Sequence, residues 1–78
     1  MSDMSDMSDF YRLCKNYAVH NLSVRYPSYD VTINNVYITS VASSPKEKVV
    51  TISNSFDDTT YEITRDNATG AITCWVND

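Results

Sequence analysis

Two thiols, Cys14 and Cys74, one imidazole, His20, and one adjacent carboxylate pair, Asp57-Asp58, are the groups of this chain whose types could carry covalent or acid–base chemistry. A cysteine nucleophile needs a base within hydrogen-bond reach. His20 follows Cys14 by six residues, which on a helix places it about 120° away around the axis, so the two form no dyad within one helix. Zinc needs several convergent ligands, and no CxxC or close His pair pre-orients them here. Asp57 and Asp58 sit among turn-forming residues, where adjacent carboxylates shape a loop. These residues assign no catalytic group, no metal ligand and no cofactor site, and the chain is expected not to be an enzyme.

The remaining chemistry is recognition. Six Tyr and one Trp stand in 78 residues, and these are the side chains that anchor protein interfaces. Trp75 has the opposite strand parity from Ile72, Cys74 and Val76, which makes it the first candidate for an exposed anchor. Val19, with Arg12 and Lys15 on the helix face opposite the apolar stripe, is the next. Asp58, Glu62 and Asp66 share outward parity with Thr60 and Thr64, so their carboxylates are expected to form a row. Successive acids along that row stand about 13 Å apart, against a phosphate repeat of about 3.4 Å per DNA strand. The row is therefore a sparse copy of nucleic acid, suited to steering a protein partner while aromatic and apolar atoms supply the affinity.

The charge distribution agrees. Residues 1–9 carry −3, 10–22 carry +2, 23–56 carry +1 and 57–78 carry −4, giving the total of −4. With no basic stripe to neutralise phosphates, direct nucleic-acid binding is not expected. No apolar run is long enough to span a bilayer and no charged-then-apolar leader is present, so no membrane association is expected and the cytoplasm is the expected compartment. Cys14 and Cys74 are then reduced, and the sequons at Asn21 and Asn67 carry no glycan.

These candidates must be positioned by a thin core. Val, Ile, Leu and Phe number 17 of 78 residues, and 13 of them are Val or Ile, with eight Thr beside them; that composition favours strands. The opening "MSDMSDMSD" repeats at a period of three, which matches neither helix nor strand, so residues 1–7 are expected to be a disordered tail and residues 8–78 a single domain. Ser8 or Asp9 is suited to cap a helix, after which Phe10, Leu13, Cys14, Tyr17 and Ala18 form an apolar stripe at helical spacing. Beyond Pro27 the chain reads as strands. Turns fall at "SSPKEK", at the "DD" pair and at "NATG". Within "YDVTINNVYITSVA" the alternation slips between Ile33 and Val36. A bulge at Asn34 keeps one long strand and gives four in all, the preferred reading; an Asn34-Asn35 turn gives five. The expected fold is α+β: one N-terminal helix packed on an antiparallel meander, with Tyr61 and Ile63 meeting Ile72 and Cys74 on the helix side. Gly70, the only glycine, suits the positive-φ position of a type I turn with a G1 bulge.

The stretch "YEITRDNATGAI", residues 61–72, resembles the closing hairpin of PepSY-like domains, which are similar to cystatins in laying one helix across an antiparallel sheet. That resemblance implies the same fold class and, as an alternative function, a module that binds or inhibits a protease. As a class, the small size, acidity, abundant tyrosine and lack of a catalytic set also resemble small phage-encoded inhibitors of the anti-CRISPR type. This second resemblance implies a viral protein in the host cytoplasm that blocks a larger, nucleic-acid-binding host complex. A third reading is a small subunit that completes a partner's sheet by edge-strand pairing. In each case the partner is a protein, and the chain itself is a monomer or weak homodimer.

Overall fold

The computed structural model describes residues 2–77, with side chains from Asp9 onward. A helix, α1 (Ser2–Arg25), precedes a 3₁₀ turn, η1 (Ile33–Asn35), and four strands, β1 (Val36–Ser43), β2 (Glu47–Asn54), β3 (Thr60–Asp66) and β4 (Ile72–Asn77). The strands form one antiparallel sheet in the order β1-β2-β3-β4. The fold is α+β, a helix on a four-stranded meander. Because α1 begins at Ser2, Ser8 and Asp9 lie inside the helix and not at its cap. Of the stretch expected as a disordered tail, residues 1–7, Met1 lies outside the described residues and the backbone of residues 2–7 belongs to α1.

Burial of one helix face explains why the sequence holds α1 against the sheet. Phe10, Cys14, Ala18 and Leu22 are buried at a spacing of four, and they meet Val36, Val50, Ile52, Tyr61 and Ile63 from the sheet. A strict four-residue row rotates slowly around the helix, and it carries the contact away from Leu13, which is 45% exposed. Leu13 was expected in the stripe; instead Tyr11 and Val19 flank the core from the other side. Arg65 adds a cation–π contact, its guanidinium 5.7 Å from the Phe10 ring. Arg25 lies in the last turn of the helix, where a cation complements the dipole, and Pro27 follows.

The slip between Ile33 and Val36 is absorbed neither by a bulge at Asn34 nor by a hairpin. The Thr32 hydroxyl accepts from the Asn34 N–H at 3.3 Å, and the Thr32 N–H donates to Asn35 Oδ1 at 2.8 Å. This reciprocal capping box turns residues 33–35 into η1, and β1 starts only at Val36. A bulge does exist in β1, but at Thr39, where the register against β2 shifts between Ile38 and Ser40. The four-strand count holds for a different local reason.

At the other hairpin, Gly70 adopts φ +77° and donates its N–H to the Asp66 carbonyl at 2.7 Å. Asp66 Oδ1 accepts from the N–H groups of Ala68 and Thr69. The loop is thus four residues long, one longer than a type I turn with a G1 bulge, and the register follows it: Tyr61 pairs with Val76, Ile63 with Cys74 and Arg65 with Ile72. The faces are as expected, with Tyr61 two residues out of the expected pairing. Gly70→Val is expected to cost roughly 1–3 kcal/mol, because a β-branched residue is strained at positive φ. A Cβ there meets nothing within 4 Å, so the loss is purely conformational. A urea midpoint unchanged by the substitution would refute this account of the turn.

Asn67 ties this loop to the β1–β2 turn: its N–H donates to the Lys46 carbonyl, and its Nδ2 donates to the carbonyls of Ser44 and Pro45. The two turns at this end of the sheet are joined.

Candidate functional site

Antiparallel pairing sends alternate side chains to opposite faces, and only one face of this sheet carries the helix. On the other face the register aligns Ser40, Thr51, Glu62 and Trp75 in one row, and Tyr37, Ser53, Thr60 and Asn77 in the next. Strands spaced about 4.8 Å apart make each row roughly 14 Å long. Among the described residues no element covers this face. Trp75 is 67% exposed and Tyr37 50%, one on each edge strand, with Glu62 and short hydroxyl side chains between them. Trp75 Nε1–H donates to Asn77 Oδ1 at 3.0 Å, which limits the rotamers of the indole and leaves its ring in solvent. A pre-set aromatic ring loses less entropy on binding than a free one.

The acidic row is only partly assembled. Glu62 lies mid-strand and directly opposite Trp75, so carboxylate and indole share one patch. Asp58 is exposed but stands in the loop before β3. Asp66 ends the strand, with its carboxylate engaged by the turn N–H groups of Ala68 and Thr69. On the helix, Arg12 is exposed and Lys15 half-buried, and both line a groove of about 310 Å³ with Tyr11, Ile33 and Ile38. Val19 is half-buried and packs against the core. It therefore offers little free surface as an anchor. Arg12 and Lys15 are separated from Trp75 by the thickness of the sheet, so the candidates fall into two surfaces and not one.

Cys14 is buried, and its thiol is pushed up to about 11 by burial and by the neighbouring Cys74. Cys74 is half-buried and also raised by desolvation. Both are free thiols, held as the uncharged form that is a poor nucleophile. His20 is exposed on the helix, and no cluster of His, Cys, Asp or Glu among the described residues could hold a metal ion. Among the described residues no helix is long and apolar enough to cross a membrane.

One polar cluster was not singled out from the sequence. Asp57, expected only as a turn former, accepts from the Tyr26 hydroxyl through Oδ2 and from Asn54 Nδ2 and the Thr59 N–H through Oδ1. Arg25 stands 3.8 Å from Oδ2. The Tyr26 ring stacks on Phe56 at 5.4 Å, and Tyr29 packs against both. The Tyr26 hydrogen bond, helped by those from Asn54 and Thr59, holds the Asp57 carboxyl down at about 2 against partial desolvation. The same bond raises the Tyr26 hydroxyl. This cluster clamps the end of α1 to the β2–β3 loop.

A depressed carboxyl gives a definite sign: the unfolded chain binds the proton more readily, so stability is present above about pH 4 and is lost as pH falls toward 2. Urea midpoints are expected to fall across that window in the wild type and to fall less in Tyr26→Phe, whose carboxyl returns toward its ordinary value. Equal acid sensitivity in the two proteins would show that Asp57 is not the group responsible.

Compared with protein families, curated proteins and solved structures, the chain matches none.

Proposed function

We propose that this protein is a non-enzymatic binding module that occludes part of a larger protein complex, in the manner of small phage-encoded inhibitors of the anti-CRISPR type. The observation that carries the binding role is Trp75, 67% exposed on an uncovered sheet face and paired across the strand with Glu62. A large aromatic left in water by a core this small has a cost that a partner's pocket removes. Net charge of −4 adds long-range steering toward a basic surface, such as one that handles nucleic acid. Inhibition then needs no reaction, only a stable complex that excludes the normal ligand. Such a role is exercised in the host cytoplasm, where both thiols stay reduced.

Affinity capture from host extract with the tagged protein, run beside Trp75→Ala and read by mass spectrometry, tests this reading. A nucleic-acid-binding complex recovered by the wild type and lost with the variant supports it. Recovery of a protease instead supports the PepSY-like or cystatin-like alternative. A partner retained equally by both proteins would remove Trp75 from the site.

A further inference from the structure

The two edges of the sheet are built differently. At β1 the edge is interrupted by the bulge at Thr39, a device that hinders pairing with another chain. At β4 the strand Ile72–Asn77 has no charge, no proline and no bulge against β3. The Asp66 N–H donates to the Ala71 carbonyl, and alternation along an antiparallel ladder then makes Thr73, Trp75 and Asn77 the residues bonded to β3. The backbone groups of Ile72, Cys74 and Val76 point out of the open edge. Their side chains face the helix side, where cover is incomplete: Ile72 is 41% exposed, and Cys74 and Val76 are half-buried, whereas Ile63 and Tyr61 on the next strand are fully buried. An unprotected edge and an unfinished apolar row thus coincide on one strand.

We propose that β4 pairs antiparallel with β4 of a second copy, about a two-fold axis at Cys74, to form a homodimer with a continuous sheet. A two-fold interface must be self-complementary, and this one is: Ile72 faces Val76 of the other copy, Cys74 faces Cys74, and Val76 faces Ile72. No charge is opposed to a like charge, and the exposed part of the row is buried. Each of these pairs exchanges two backbone hydrogen bonds. On the opposite face, Trp75 lies across from Thr73 of the second copy and diagonal to its Trp75, at about 7–8 Å between backbones. The dimer therefore presents two indoles together on an eight-stranded surface, twice the four strands of one chain.

Sedimentation across a concentration series, with melting curves at the dilute end, tests the seam. The wild type is expected to dimerise. Val76→Pro removes an outward N–H and no hydrogen bond to β3, at the cost of some apolar packing by the half-buried Val76 side chain, and Ile72→Glu puts a carboxylate opposite Val76 of the other copy while staying beside Arg65 in its own sheet. Both variants are expected to remain folded monomers, with dimerisation weakened at least tenfold. Diamide, which takes two electrons and two protons from a thiol pair, is expected to trap the wild type as a Cys74–Cys74 linked dimer, since facing residues in such a pair lie about 5.5 Å apart between Cα atoms, within disulfide range. A wild type that stays monomeric at every concentration, a dimer that persists in both variants, or a linked dimer lacking the Cys74–Cys74 peptide would each overturn the proposal. The first of these would leave the edge to a strand from another protein.

Discussion

Replacing Asn54 with alanine is expected to lower the unfolding free energy by about 2–4 kcal/mol, a large part of what a domain of this size possesses. Asn54 is 5% exposed and makes four hydrogen bonds at once. Oδ1 accepts from the Phe56 and Asp57 N–H groups at 2.7 and 2.9 Å, and Nδ2 donates to Asp57 Oδ1 at 3.0 Å and to the Thr59 carbonyl at 2.9 Å. Each bond contributes on the order of 1 kcal/mol, and a buried group left unpaired costs about 1–3 kcal/mol more. The loop between β2 and β3 has no glycine, so this side chain does the work of a turn. Asn54→Asp keeps the acceptor but loses both donors and sets a carboxylate against Asp57. It is expected to be as destabilised as the alanine variant at neutral pH and to recover partly on acidification. Urea titrations of the three proteins decide the matter, with a midpoint shift of roughly 2 M expected at a slope of about 1–2 kcal/mol/M. A shift under about 0.5 M in both variants would mean that water replaces Asn54 without loss.

The second large effect is on binding. Trp75→Ala is expected to weaken capture of the partner at least about 30-fold, equivalent to a hot-spot loss of about 2 kcal/mol. It should leave the fold within about 0.5 kcal/mol, as for other exposed positions. Its comparison is Glu62→Gln, the one acidic variant on this face that disturbs no turn, because Asp66 also holds the N–H groups of Ala68 and Thr69. Glu62→Gln is expected to slow association and reduce its salt dependence, with a smaller change in affinity. The opposite pattern, in which Glu62→Gln abolishes binding, salt collapses the wild-type affinity and Trp75→Ala does little, would make the carboxylates the binding element and nucleic-acid mimicry the better reading.

What the sequence discloses about this fold follows how local each signal is. Parity alone places Thr60, Glu62, Thr64, Thr73 and Trp75 on the outer face, because a strand's alternation survives any even shift of register. Register itself is not local: the Asn67–Gly70 loop sets Tyr61 against Val76 and not against the expected Ile72 or Cys74, and no pattern within either strand reports it. The capping box of Thr32 and Asn35 was hidden because those residues sit inside a stretch rich in β-branched side chains. Leu13 misleads for another reason, since two adjacent helical stripes are available and the docking angle of the helix selects between them. Asp57 looks like a surface acid until Tyr26, 31 residues away, is brought to it.

The meander order has a kinetic consequence. Every strand pairs with its immediate successor in the chain, so each hairpin closes over a few residues at small entropic cost. Low contact order of this kind correlates with rapid folding, and no pairing must wait for a distant segment to be synthesised. The last two strands can zip on in sequence once β1 and β2 have met, with α1, the first element to be made, settling onto Val50, Ile52, Tyr61 and Ile63 as they come together. The sheet is therefore organised to close as soon as β4 has been made, without waiting for any later segment.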